Sequence, residues 1–253
     1  MSDSAAEAAL VRDIRAALRK AADPSRAAGQ QAYMKSAMPF LGIRVPEVRR
    51  LVAEVANSAG PVTRLSAARL LWDDATHREE RYAAMALLRH RGVRGEPRLV
   101  PIVEHMVRTG AWWDITDELA HRLGDLLDAR PDETAVIVRA WAHDDDLWIR
   151  RIAILSQLGR RRRVDQALLD EAISPNAADS EFFIRKAIGW ALRDHARTDP
   201  AWVRAFVAAH DLSPLSVREA LKHLGTPQLA VDAASASTAA PTMTGAPTSP
   251  RSA

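Results

Sequence analysis

Apolar residues recur along this chain at the three-to-four-residue interval of an α-helix, and no stretch sustains the alternation of a strand. Leu10, Ile14 and Leu18 fall at i, i+4 and i+8. Val100, Val103 and Val107 follow Pro97, and Ile115, Leu119, Leu123 and Leu126 make a stripe over three turns. Ile184, Ile188 and Ala191 repeat the pattern, as do Val217, Leu221 and Leu224. Between the stripes lie breakers: Asp23-Pro24, Gly60-Pro61, Gly95-Glu96-Pro97, Arg130-Pro131-Asp132, Ser174-Pro175-Asn176, Asp199-Pro200 and Ser213-Pro214. Proline is tolerated in a first helical turn because the N–H it lacks would have no partner there. The breaks predict roughly ten to twelve helices of about 10–15 residues, ordinary globular lengths. The Pro97, Pro131, Pro175 and Pro214 breaks recur at about the spacing of stacked two-helix repeats, roughly 35–45 residues. The expected fold is therefore all-α, a superhelical array of helix pairs with one concave face.

The texture changes near Thr226. Ala233 to Ala253 is almost wholly Ala, Ser, Thr, Pro and Gly without apolar periodicity. Such a segment cannot repay its ordering entropy, so residues 226–253 are expected to be a disordered tail after a folded domain spanning 1–225. With 253 residues and 47% hydrophobic content, one large core or one elongated array is within reach. There is no cysteine. That excludes disulfides, thiolate metal sites and thiol nucleophiles, and fits a cytoplasmic protein. Met1 to Leu10 carries acids and no apolar run, so no signal peptide is expected, and no run of apolar residues is long enough to span a membrane. The eight histidines show no spacing typical of metal ligands, so neither metal nor cofactor is expected.

Net charge is only +3, which alone implies no nucleic acid. The kind of base is more telling: only Lys20, Lys35, Lys186 and Lys222 among the 35 basic side chains are lysine. Arginine's planar fork binds phosphate bidentately and stacks on rings. A genome that favours arginine codons would leave the same bias. Gly159-Arg160-Arg161-Arg162-Arg163 reads as a phosphate patch or a solvated loop, and Arg89 to Arg98 as a weaker one.

The densest chemistry lies in Trp112-Trp113-Asp114-Ile115-Thr116-Asp117, in a chain only 5% aromatic. Trp113 and Asp117 are four apart, so a helix beginning near Asp114 turns both to one side, where its dipole favours a carboxylate. Asp114-x-x-Asp117 also reads as capping, with Asp114 at the N-cap and Asp117 near N3. Spacing alone leaves both readings open. Trp148 precedes Arg150 and Arg151, of which one should point outward. Trp190 lies four after Lys186 and three before Arg193, so the three share a helical face, while Phe183, Ile184 and Ile188 are placed to serve the core. A tryptophan in an α-repeat is as readily packing as site. Taken as a site, the set suits a sugar-phosphate backbone and a developing positive charge. A fixed carboxylate stabilises an oxocarbenium-like sugar and orients water, and indole faces add cation–π attraction.

In these stretches the chain resembles the bacterial DNA alkylation repair glycosylases built from HEAT-like repeats, of the AlkD type. The resemblance runs from about Tyr33 to Leu224. It rests on Tyr33-Met34-Lys35, Phe40-Leu41-Gly42-Ile43 and, more loosely, Glu79 to Ala86. Stronger are Trp112-Trp113-Asp114-x-x-Asp117, Trp148-Ile149-x-Arg151-x-Ala153-Ile154-Leu155-x-Gln157-Leu158 and Glu181-Phe182-Phe183-Ile184-x-Lys186-Ala187-Ile188-Gly189-Trp190-x-Leu192-Arg193. Leu215-Ser216-x-Arg218-Glu219-Ala220-x-Lys222-His223 closes the series.

The resemblance implies a concave DNA-binding face and excision of cationic N3- and N7-alkylpurines from duplex DNA by a metal-independent, monofunctional glycosylase. It also implies that the lesion is read without being flipped into a pocket, unlike the usual habit of base-modifying enzymes. By the same resemblance Trp113, Asp117, Arg151 and Trp190 line the cleft, with Asp117, Trp113 and Trp190 catalytic and Asp114 left as the cap. Arg151, Arg150, Tyr33, Lys35, Lys186, Arg193 and Arg218 are the expected DNA contacts. The expected partner is double-stranded DNA carrying alkylated bases, bound by a monomer. The tail has no counterpart in the family, and a base at Arg150 is not a requirement of its pattern. Related branches of HEAT-repeat proteins bind DNA without excision, so a non-enzymatic binder of damaged or branched DNA is the alternative. A protein–protein scaffold is the third reading, favoured only by the modest net charge.

Overall fold

The computed structural model describes residues 3–224. The tail expected over 226–253 lies outside the described residues. Thirteen α-helices and no strand occur among them. They are α1 (Asp3–Lys20), α2 (Pro24–Met34), α3 (Val45–Val55), α4 (Pro61–Asp73), α5 (Arg78–Leu87), α6 (Leu99–Gly110) and α7 (Trp113–Ala129). There follow α8 (Pro131–Ala142), α9 (Leu147–Leu155), α10 (Gln166–Ile173), α11 (Phe182–His195), α12 (Pro200–Ala209) and α13 (Pro214–Ala220). Among the described residues, no helix is long and apolar enough to cross a membrane.

Proline opens α2, α4, α8, α12 and α13, at the breaks read from the sequence. Side-chain caps precede several of these. Asp23 accepts the Ser25 N–H, Asp199 the Trp202 N–H and Ser213 the Ser216 N–H. The helix count exceeds ten to twelve for a physical reason. The turns between α4 and α5 and between α8 and α9 contain neither proline nor glycine. The second is closed instead by Asp146, whose side chain caps α9 by accepting the Trp148 N–H at 2.8 Å.

The helices pack as pairs, with α4 on α5, α6 on α7, α8 on α9 and α12 on α11. Successive pairs stack mainly through α3, α5, α7, α9, α11 and α13, each touching the next. The stripes from Leu10 to Leu18, Ile115 to Leu126 and Ile184 to Ala191 are all buried. One buried apolar cluster runs from Leu10 to Ala220. The last stripe, Val217, Leu221 and Leu224, is only half-buried, because no further pair among the described residues covers α13.

Two local devices set the spacing between neighbouring elements. Glu79 on α5 is fully buried, and its carboxylate accepts the backbone N–H groups of Leu41, Gly42 and Ile43 at 2.8, 2.9 and 3.1 Å. The segment after α2 is thereby fastened to α5. Gly42 sits at φ +86°, where a Cβ would fall 1.9 Å from the Asp23 carbonyl oxygen, so only glycine fits. On α11, a Cβ at Gly189 would stand 2.5 Å from Glu219 Cβ and 2.9 Å from the Ser216 carbonyl oxygen. The missing side chain lets α13 close onto α11.

Candidate functional site

The chain leaves α6 through Ala111, in the left-handed region at φ 40°, and an extended Trp112 becomes the N-cap of α7. Helix α7 thus starts at Trp113, earlier than the capping reading required. Asp114 is not the cap. It lies in the first turn and is taken by neighbouring helix α5, with Arg78 Nη2 2.6 Å from one oxygen and the Tyr82 hydroxyl donating to the other at 2.6 Å. Its own desolvation and the adjacent carboxylate push the Tyr82 phenol up, so Tyr82 remains a donor. Asp114 anchors the start of α7 to α5.

With Asp114 so held, Trp113 and Asp117 turn together into a cleft of about 520 Å³. Its walls come from the end of α2 (Tyr33, Lys35), α7 (Trp113, Asp117), α9 (Arg151), α11 (Phe182, Phe183, Lys186, Trp190, Arg193) and α13 (Glu219). Eight of the ten residues expected at the site meet here. Trp190 keeps 37% of its surface exposed, and Tyr33 and Phe182 are exposed further still. These three aromatics offer faces to a ligand and not to the core.

Trp112, Trp148 and Phe183 pack on one another, with Trp112 and Phe183 also bordering the cleft. Trp148 is buried, and the three rings pack with centroids 6.0, 5.7 and 4.9 Å apart. They form an aromatic floor that carries α7, α9 and α11. Trp148 is a packing residue.

The floor also fixes Arg151. This arginine, only 3% exposed, forks onto Asp117, with Nε–Oδ1 2.8 Å and Nη2–Oδ2 2.9 Å, and donates a third bond to the Phe183 carbonyl. All three guanidinium nitrogens are engaged inside the protein, so the group orients Asp117 first of all. The expectation that one of the adjacent pair points outward is not met: Arg151 turns inward, and Arg150, its side chain 18% exposed, is held by the preceding loop and Asp179. Asp117 is subject to opposed influences. Burial raises its carboxyl above the ordinary aspartate value, while the Arg151 hydrogen bonds and charge pull it back. The net direction is upward. With its side chain only 14% exposed and held by one fixed guanidinium, the carboxylate is screened less than one at the surface.

Two expected contacts stand elsewhere. Arg150 donates to the Asp144 and Asp145 carbonyls and pairs with Asp179 at 3.0 Å, because the first turn of α9 faces the preceding loop. Arg218 is exposed on α13 but outside the cleft walls. The basic runs are also largely satisfied internally. Arg160 and Arg163 both pair with Asp128, and Arg89 meets Glu118 at 2.6 Å.

Phe182 and Glu219 also line the cleft; both stand in the stretches that carry the resemblance, but the sequence assigned neither a role in the site. Phe182 stands in a run of apolar letters, where nothing distinguishes it from core. Glu219 binds Lys186 at 3.0 Å and Arg193 at 2.8 Å from another helix, a pairing with no local spacing to betray it. Among the described residues, no group of three or more His, Cys, Asp or Glu is arranged to hold a metal ion.

A family model described as DNA alkylation repair enzyme matches residues 14–224. A solved structure described as a predicted DNA alkylation repair enzyme from Enterococcus faecalis is similar, with 31% sequence identity and a TM-score of 0.72. The match covers 81% of this chain and 97% of that one. No curated protein matches the chain at comparable strength.

Proposed function

This chain belongs to the DNA alkylation repair enzyme family, and from that premise we propose that it is a monofunctional DNA glycosylase acting on cationic N3- and N7-alkylpurines in duplex DNA. The observation that carries the reading is the Asp117 carboxylate, fixed by Arg151 and facing a cleft that also presents Trp113 and Trp190.

The chemistry follows from the charge on the lesion. In an alkylated purine the base already carries positive charge, so the C1′–N bond breaks with its electron pair going to the base, which leaves neutral. Positive charge then moves to the sugar. Asp117 stabilises that oxocarbenium-like centre, and the flanking indoles lower its energy further. Water adds at C1′ and gives up a proton, for which Asp117 is the nearby acceptor. The reaction as proposed draws on no metal or cofactor. Lys35, Lys186 and Arg193 surround the same cleft and are placed to hold the strand that carries the lesion. In this reading the face bearing the cleft is the DNA-binding face, and one chain suffices as the working unit.

The test is a duplex carrying a single 7-methylguanine, incubated with protein and then cleaved by alkali. Strand breaks above the protein-free control are expected; their absence would leave a non-enzymatic binder of damaged DNA. Asp117→Asn should lower the single-turnover rate by at least about a hundredfold while the duplex is still bound. A variant as fast as wild type would remove Asp117 from the mechanism.

A further inference from the structure

The cations beside Trp190 are already spoken for. Lys186 and Arg193 stand about one turn to either side of it on α11, and both direct their charge at Glu219 on α13. Glu219 lines the same cleft as Trp190. The Lys186 hydrogen bond, with the Arg193 and Lys222 charges, holds its carboxyl below the ordinary glutamate range despite burial, so it is an anion at neutral pH. Nor is it a loose rim charge. Gly189 admits α13 so closely that a methyl there would meet Glu219 Cβ at 2.5 Å, and the Ser216 hydroxyl ties α13 to the Arg185 carbonyl at 3.0 Å. Two positive charges and one negative charge are therefore fixed together on the cleft wall.

Resting on the DNA reading above, we propose that Glu219 limits the grip of this cleft on DNA: it competes with the DNA backbone for Lys186 and Arg193 and so weakens the hold on duplex, damaged and undamaged alike. The physical reason lies in what each kind of DNA offers. Undamaged duplex is held almost entirely through its phosphates. A nucleotide with a cationic base adds attraction to Asp117 and the exposed indoles. Weakening the phosphate contribution lowers both affinities by the same factor, so the preference set by Asp117 and the indoles is kept while undamaged duplex is held less.

Glu219→Gln keeps the shape and removes the charge. Binding of undamaged duplex is titrated over a range of salt, by anisotropy, with wild type and variant below their melting temperatures. The variant should bind severalfold more tightly at low salt. Its log K against log salt slope should be steeper by about 0.9 for one released cation, and about twice that for both. The ratio of affinities for 7-methylguanine and undamaged duplex should stay close to that of wild type, because the phosphate contribution is common to both. In a Lys186→Gln background the same change should add only the share belonging to Arg193. Loss of structure cannot steepen the slope, so a purely structural role for Glu219 predicts the opposite trend. If the glutamine variant does not fold, Glu219→Asp, which withdraws the carboxylate by one methylene, reads the same slope in weaker form. An unchanged slope, or binding weaker than wild type, overturns the inference while leaving the glycosylase reading intact. A wild-type protein with no salt-dependent binding to duplex sinks the DNA reading itself, and this inference with it.

Discussion

Replacing Arg151 by glutamine separates the two influences that act on Asp117. In the native protein the guanidinium gives Asp117 two charge-assisted hydrogen bonds, at 2.8 and 2.9 Å, and a fixed positive charge. Burial works against them and is the larger influence. A glutamine amide can restore at most one neutral bond, so the net loss is about one charge-assisted bond, roughly 1.5–3 kcal/mol. With that loss, Asp117 should hold its proton to higher pH than in wild type.

Two observables then move in opposite directions. Excision requires the ionised carboxylate, so the acid limb of the single-turnover profile shifts to higher pH and activity recovers as pH rises. Stability does the reverse. Both folded proteins bind this proton more tightly than the unfolded chain, the variant more so, and the variant-minus-wild-type difference in stability therefore worsens as pH climbs from the wild-type folded value of Asp117 to the variant's higher one. Left ionised without its partner, a buried carboxylate costs about 3–5 kcal/mol. The assay is 7-methylguanine release over a pH series, with the unfolding midpoint measured at each pH. An acid limb that stays where wild type has it, with the fold intact, would refute the view that Arg151 governs the charge on Asp117.

Gly189→Ala should destabilise the protein by about 1–3 kcal/mol, seen as a lower melting temperature, since the new methyl meets backbone at Ser216 and α13 must move away. Glu79→Gln should cost about 1.5–3 kcal/mol, because an amide can offer its single oxygen to only part of the Leu41–Ile43 N–H cluster. The same loss should loosen the segment bearing Lys35, read as faster amide exchange there. A panel of duplexes with cationic and neutral modified bases should show release of the cationic ones alone, since no residue in the cleft is an evident acid for a neutral leaving base. Equal release of a neutral adduct would require a proton donor that this scheme lacks.

What the linear chain determined is what backbone geometry makes local. The helical period placed Leu10, Ile14 and Leu18 in the core, prolines and aspartates marked most boundaries, and the i, i+4 rule set Trp113 beside Asp117 and Lys186 beside Trp190. Those relations hold within about one turn of one helix, and they survive whatever the rest of the chain does. The turns closed by Asp74 to His77 and by Asp146 were harder to see, because neither uses proline or glycine.

Tertiary structure decided everything that passes between helices. It alone took Asp114 from the cap and gave it to Arg78 and Tyr82, turned Arg151 from a phosphate contact into the clamp on Asp117, and put Glu219 across Lys186 and Arg193. It also divided the tryptophans, sinking Trp148 into the floor and leaving Trp190 at the surface. The reason is that such pairings depend on how far one helix is offset and rotated against the next. That offset is set by summed side-chain packing, and by single features such as the bare face of Gly189, to which no periodicity along one strand of sequence responds.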